Sequence, residues 1–305
     1  MSATLQRLLA QGEQALREAG VDSPELDARL LAQEALRLNH AELIIHRDES
    51  VPAPLAAEYL ALIRRRAARE PLSYVLGYAD FYGRRFLCDR RALAPRPETE
   101  LLVEAASEPC RALGPGTVVA EVGLGSGVIA LSLALECRHL EVWGTEISPA
   151  ALQLARANAC FHRVTSRVRL AEGSLLQPLH EAGVAEQVAV VISNPPYVRS
   201  GDLAGLQPEV STWEPRLALD GGPEGTDVYQ ALLAECSHLP RLQAIFLEVG
   251  YDTAEVVAAL ARRTWGEAEV SVRPDLAGIP RVLTVRLPQA APAGEARERV
   301  AVEAG

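Results

Sequence analysis

Along residues 4–70 the apolar positions recur at helical spacing. Leu5, Leu8, Leu9 and Leu16 share one face, and Gly20 closes that segment. Ser23 before Pro24 reads as a cap followed by a first-turn proline. It opens a second helix with Leu26, Leu30, Leu31 and Leu38 as its apolar stripe. Leu43, Ile44 and Ile45 mark a short third segment, and Pro54 begins a fourth helix through Tyr59, Leu60, Leu62 and Ile63. The pattern predicts a small helical bundle over residues 1–70.

Turn residues replace the periodicity at residues 71–97. Pro71, Gly77 and Ala94-Pro95-Arg96-Pro97 punctuate this stretch, and Phe81-Tyr82-Gly83-Arg84-Arg85-Phe86 reads as a hairpin turning at Gly83. A hairpin linker is expected here. From Thr117 onward, short apolar runs alternate with helical patterns. Strands are expected at Val118–Val122, Leu140–Gly144, Val168–Ala171, Val188–Ile192, Ala244–Val249, Val270–Val272 and Val282–Leu287. Helices are expected at Val128–Leu135, Pro149–Ala159 and Thr253–Arg263. The alternation predicts an α/β domain over residues 98–288 with a parallel, doubly wound sheet and ligands at the carboxyl ends of its strands. Residues 289–305, rich in Ala, Glu, Arg and Gly, read as a flexible tail.

Composition narrows the partners. The formal charge of −10 over 305 residues argues against general nucleic-acid binding, which depends on clustered Lys and Arg. The densest basic cluster, Arg64-Arg65-Arg66 with Arg69, reads as the polar end of a helix. Cys88, Cys110, Cys137, Cys160 and Cys236 are odd in number and widely spaced. With the six histidines they show no metal-ligand spacing, so no metal is expected and a reducing compartment is. The amino terminus carries no signal-peptide pattern and no apolar run reaches the ~20 residues that span a bilayer. A cytoplasmic protein without a membrane partner is expected.

The first strand runs into Glu121-Val122-Gly123-Leu124-Gly125-Ser126-Gly127. Alternate glycines let the backbone turn sharply and come close to a ligand. The GxGxG spacing departs from the GxGxxG dinucleotide fingerprint and disfavours a dehydrogenase. Glu146 ends the next strand, where a carboxylate can grip two ribose hydroxyls; a helix-cap role before Pro149 is the competing reading. Loop and carboxylate together point to an adenosine-containing ligand.

The fourth strand ends in Ser193-Asn194-Pro195-Pro196-Tyr197. Paired prolines stiffen the turn and carry no N–H donors. The Asn194 side-chain carbonyl and the Pro195 main-chain carbonyl can accept both hydrogens of a planar NH₂ group. That orients a poorly nucleophilic nitrogen and stabilises the charge that develops on it. Tyr197 can stack on the planar substrate. Asn194, Pro195 and Tyr197 are the candidate catalytic residues, and Asn194, Pro195, Pro196 and Tyr197 the candidate substrate-binding ones.

In these motifs the chain resembles the HemK/PrmC protein-glutamine N5-methyltransferases. The matching segments also include Glu70–Gly77, Ala94–Glu100, Glu214–Gly222 and Asp275–Gly278. The resemblance implies a helical substrate-recognition domain, a hairpin link and a class I, Rossmann-like methyltransferase domain. It implies S-adenosylmethionine as cofactor, with S-adenosylhomocysteine as product, held by Gly123, Leu124, Gly125, Ser126, Gly127, Glu146, Ser174, Leu175 and Asn194. It places Glu98 and Thr99 near the methionine end of the cofactor. The implied substrate is the Gly-Gly-Gln loop of a peptide chain release factor.

The sequence departs from the family pattern at Glu146, which is usually Asp. Ser174-Leu175 stand where an acid and its neighbour are usual, and Leu124 stands where Thr is common. Ile279-Pro280 interrupts a usually charged signature. These departures keep three alternatives open: a paralogue acting on another protein or a small molecule, a nucleic-acid adenine N6-methyltransferase, and a non-catalytic binding protein. The second must also meet the cost of extracting a base.

Overall fold

The computed structural model describes residues 4–288; the tail expected at 289–305 lies outside the described residues. The chain divides into two compact units. One comprises the residues up to Pro95 together with Gly201–Ala218, the other Arg96–Ser200 and the chain from Leu219 onward.

In the first unit, α1 (Leu5–Glu18), α2 (Pro24–Leu36), α3 (His40–Ile45), α4 (Ala53–Ala67) and α5 (Leu72–Leu76) precede a hairpin of β1 (Tyr78–Phe81) and β2 (Arg84–Leu87). Leu5, Leu8 and Leu16 of α1 pack with Leu31, Tyr59 and Ile63, as their spacing predicts. Helix α2 differs from expectation. Its buried face is Asp27, Ala28, Leu31, Ala32, Ala35 and Leu36, whereas Leu26 is exposed and Leu38 lies beyond the helix end. Leu31 of the expected stripe is on this face; small residues beside it let neighbouring helices approach, and these the leucine pattern did not reveal. Ser23 occupies the cap position but makes no side-chain capping bond. In α3 only Leu43 is buried; Ile44 and Ile45 are exposed.

The arginine cluster is also more than a polar helix end. Arg66 is 7% exposed and donates to Asp27 at 2.7 Å and to Glu209 at 2.9 Å. Arg69 donates to both carboxylate oxygens of Glu209 at 2.6 Å. Arg65 pairs with Glu70. Burial raises the Glu209 pKa, but the bonds from Arg69 and Arg66 outweigh it and hold the carboxyl down to about 2.

The second unit begins with α6 (Glu100–Ala112). It continues through β3 (Val118–Val122), α7 (Val128–Glu136), β4 (Glu141–Glu146), α8 (Pro149–Phe161), β5 (Val168–Glu172), α9 (Gln177–Glu181) and β6 (Val188–Ser193). The short α10 (Pro208–Ser211) lies in the segment that belongs to the first unit. Then follow α11 (Asp227–Cys236), β7 (Ala244–Glu248), α12 (Ala254–Thr264), β8 (Glu269–Pro274) and β9 (Pro280–Arg286). The sheet has seven strands in the order β5-β4-β3-β6-β7-β9-β8. Every residue of β3, β6 and β7 is buried, as strands covered on both faces require.

The expected parallel sheet is found over five strands, and its far end departs from it. β3 to β7 run parallel to one another, but β9 runs antiparallel to both β7 and β8. The residues between β8 and β9 are too few for a crossover, so the chain can only fold back. Helices α6 and α11 were not anticipated either. Each buries an amphipathic face, Leu102, Val103 and Ala106 in α6 and Tyr229, Leu232 and Leu233 in α11.

Candidate active site

From β3 the chain crosses to β4 and β5 on one side of the sheet, then returns to β6 on the other. The order reverses between β3 and β6, and sheets of this kind bind ligands at the carboxyl ends of such strands. Register makes the placement specific. Val122 pairs with Thr145 on one side and Ser193 on the other, and Ser193 pairs with Leu247. The glycine turn after Val122, Glu146, Asn194 and Glu248 therefore emerge along one sheet edge.

Local hydrogen bonds hold that edge. Ser193 Oγ donates to the Val122 carbonyl at 2.6 Å. The amides of Gly123 and Leu124 both donate to the Thr145 carbonyl at 3.0 Å. Thr145 Oγ1 donates to the Leu175 carbonyl at 2.7 Å, bringing the half-buried Leu175 and the exposed Ser174 beside the end of β4. Gly123, Gly125 and Gly127 have φ of 76°, 56° and 84°, the left-handed region where a side chain is strained. Leu124 and Ser126 between them are buried, and the Asn158 amide donates to the Ser126 carbonyl at 2.9 Å.

Glu146 makes two backbone contacts. Its Oε2 accepts the Gly125 N–H and its Oε1 the Ser148 N–H, each at 2.8 Å. It braces the glycine turn and the start of α8 at once. A carboxylate offers about four lone-pair positions, so each oxygen keeps one for a further donor.

The sequence reading overlooked Glu121. Fully buried in β3, it accepts the Ala130 N–H at 2.7 Å and so satisfies an amide in the first turn of α7. Burial pushes its carboxyl well above the ordinary range, and the nearby Glu146 charge adds to the rise. An acid inside an apolar run was the available signal.

On the β6 side, Asn194 donates its Nδ2–H to Thr99 Oγ1 at 3.3 Å. That leaves Oδ1 as the acceptor end of the side chain. Thr99 is buried and itself bonds the Glu248 carboxylate. Pro195 is buried; Pro196 and Tyr197 are half-buried. Burial pushes the Tyr197 hydroxyl up to about 12, and Glu248 reinforces the shift. The group is protonated at neutral pH and cannot act as a base. After Tyr197 the chain pairs with residues 219–222: Val198 N–H donates to the Leu219 carbonyl, Gly221 N–H to the Val198 carbonyl and Ser200 N–H to the Gly222 carbonyl. Gly221 is required by close approach, since a Cβ there would stand 2.7 Å from the Pro196 carbonyl oxygen and 2.9 Å from Tyr197 Cα. Among the described residues, no group of three or more His, Cys, Asp or Glu is placed to hold a metal ion, and no helix is long and apolar enough to cross a membrane.

Glycine turn and carboxylate at the ends of β3 and β4, with the Asn-Pro-Pro-Tyr turn at the end of the adjacent β6, define a Rossmann-like methyltransferase domain. Comparison with known proteins gives the same class. Residues 7–77 match the PrmC N-terminal domain and residues 97–206 the methyltransferase small domain. A release factor glutamine methyltransferase of Cereibacter sphaeroides is 39% identical over 276 residues, covering 90% of this chain and 95% of its own. One from Deinococcus radiodurans is 40% identical over 283 residues, covering 92% and 98%. The hMettl16 catalytic domain, solved in complex with MAT2A 3′UTR hairpin 6, covers 79% of this chain and 84% of its own at a TM-score of 0.55. Its 11% identity makes that a likeness of fold alone. The chain belongs to the release factor glutamine methyltransferase family, and it is a methyltransferase.

Proposed function

We propose that this enzyme transfers the methyl group of S-adenosylmethionine to the side-chain amide nitrogen, N5, of the glutamine in the Gly-Gly-Gln loop of a peptide chain release factor. The reading rests above all on Asn194. Its amide NH₂ is engaged by Thr99, so Oδ1 is the end available to accept a substrate N–H. Near full-length similarity to relatives named for this reaction supports the release factor as substrate. On this reading the helical domain over residues 1–70 recognises the substrate protein, and the reaction takes place in the cytoplasm.

The residues present fit the cofactor. Positive-φ glycines at 123, 125 and 127 carry no side chain to keep a ligand away from the turn, and Glu146 retains acceptor capacity for two ribose hydroxyls. Ser174 and Leu175 flank the adenine side. The bound cofactor supplies an electrophilic methyl on a sulfonium centre. The remaining work falls to the chain. Asn194 Oδ1 and the Pro195 carbonyl take the two N–H bonds of the glutamine amide and fix the direction of its nitrogen. Both oxygens stabilise the positive charge that grows on the nitrogen. Pro196 keeps the turn stiff, and the neutral Tyr197 shields the amide from water. The surplus proton leaves after transfer, so no strong base is required.

The test is incubation with labelled methyl donor and a release factor, followed by peptide mapping. Label on the glutamine of the Gly-Gly-Gln loop is expected, with S-adenosylhomocysteine as the second product. Label elsewhere, or none, refutes the substrate.

A further inference from the structure

Glu248 is a buried acid for which the reading above has no task. It closes β7, is 3% exposed, and its Oε2 has no hydrogen-bond partner. A buried carboxylate oxygen without a partner opposes folding and calls for an explanation. Anchoring the strand end does not supply one, because Tyr229 donates its hydroxyl at 2.7 Å to the main-chain carbonyl of Glu248, not to the carboxylate.

The carboxylate is hydrogen-bonded by Thr99. Thr99 also receives the Asn194 amide at 3.3 Å. A hydroxyl can donate or accept, so Thr99 alone does not decide which end of Asn194 faces it. An ionised carboxylate does decide. It accepts only, so it draws the Thr99 proton toward itself and leaves Oγ1 as an acceptor for the Asn194 NH₂. The amide then has one orientation, with Oδ1 outward. In the flipped orientation Asn194 presents an NH₂ to the substrate NH₂, donor against donor.

We propose that Glu248 is a positioning residue which, through Thr99, fixes the flip of the Asn194 amide and so keeps its carbonyl oxygen toward the substrate nitrogen. This rests on the assignment of Asn194 as the acceptor of the substrate amide. Two further observations agree with it. Aligned bonds polarise one another, so the charge on Glu248 also strengthens Oδ1 as an acceptor. Burial pushes the Glu248 carboxyl up to about 7; Thr99, Arg281 and Arg96 pull it down, and Glu98 pushes it up. The other titratable groups facing it are Tyr197 and Tyr229. Burial raises both phenols, so both stay neutral where Glu248 titrates. The orienting charge is therefore lost as pH falls through the neutral range.

The experiment compares wild type, Glu248→Gln, Thr99→Val and Thr99→Ser in methyl transfer to a release factor between about pH 5.5 and 9. Wild-type kcat falls on the acid side with a midpoint near the Glu248 value of about 7. Glu248→Gln abolishes that limb and lowers the kcat plateau about tenfold, the kinetic equivalent of one hydrogen bond, with donor KM within about twofold. Thr99→Val has a similar effect on kcat, and Thr99→Ser restores it to within about threefold. The melting temperature of Glu248→Gln at pH 8 equals or exceeds wild type, because a buried charge that burial disfavours has been removed; a merely structural residue gives the opposite. A second measurement needs no substrate. The side-chain NH₂ resonances of Asn194 titrate near neutrality in wild type and not in Thr99→Val or Glu248→Gln. An acid limb unchanged in Glu248→Gln, or Asn194 resonances that titrate equally in all variants, overturns the proposal. A wild-type enzyme inactive on the release factor overturns the substrate instead, and the resonances still decide the role of Glu248.

Discussion

Replacing Glu146 by Gln, ordinarily a mild change, is expected to be as damaging to cofactor binding as Ala. Glu146 accepts two backbone N–H bonds, from Gly125 and Ser148, both at 2.8 Å. A glutamine brings one oxygen and one NH₂, so one of these amides must face a donor. A hydrogen bond to a charged acceptor contributes ~1.5–3 kcal/mol, and a buried amide left without a partner costs ~1–3 kcal/mol. Gly125 is half-buried, so water can recover part of the loss. The ribose hydroxyls also lose a charged acceptor. The net effect on binding is roughly 2–3 kcal/mol, about 30- to 150-fold in Kd. Asp preserves both acceptors but is one methylene short, so it should fall between wild type and Ala. Calorimetric titration with S-adenosylhomocysteine, which avoids turnover, gives the order directly. Binding by Glu146→Gln within about threefold of wild type would refute the reasoning, because the two amides would then not depend on the carboxylate.

Two other perturbations follow from named contacts. Glu209→Ala removes the bidentate partner of Arg69 and one of the two acids on Arg66, which keeps Asp27. A loss of roughly 2–3 kcal/mol is expected in denaturant unfolding, below the ~3–5 kcal/mol of a fully broken buried pair. Because the Glu209 carboxyl is held down to about 2, its contribution is fully present above the unfolded value of about 4.3. It disappears as pH falls through about 2, and wild type and variant converge there. Gly221→Ala drives a Cβ against the Pro196 and Tyr197 backbone. Displacing that turn should lower methyl transfer more than about tenfold while donor affinity changes less than about twofold. Parallel loss of both quantities points instead to general unfolding.

How much of this was legible in the sequence depends on what each feature needs. The buried strands showed themselves as continuous apolar runs, Val118–Val122 and Val188–Ser193 above all. Both site turns are local in sequence, and adjacent strand ends bring them together. Helix α11 was missed although Tyr229, Leu232, Leu233 and Cys236 stand at helical spacing. Pro109 obscured α6, although its place in the last turn leaves most of that helix intact. Part of the α2 face escaped because its buried positions include three alanines and an aspartate. That aspartate could not be understood locally, since it pairs with Arg66, 39 residues away, and Arg66 also meets Glu209, 143 residues away. Strand direction at the end of the sheet leaves no mark on periodicity; only the short Asp275–Ile279 connection hints at it. Glu121 and Glu248 were visible as acids within apolar strands, but their partners, Ala130 and Thr99, come from other elements.

The most direct test of the account is Asn194→Ala, assayed by single-turnover methyl transfer to a release factor alongside calorimetric donor binding. Loss of an acceptor that works mainly in the transition state predicts a rate about 100-fold lower or worse, with donor Kd within about threefold of wild type. Transfer at a rate comparable to wild type would contradict the central claim that the Asn194 carbonyl oxygen holds the substrate amide.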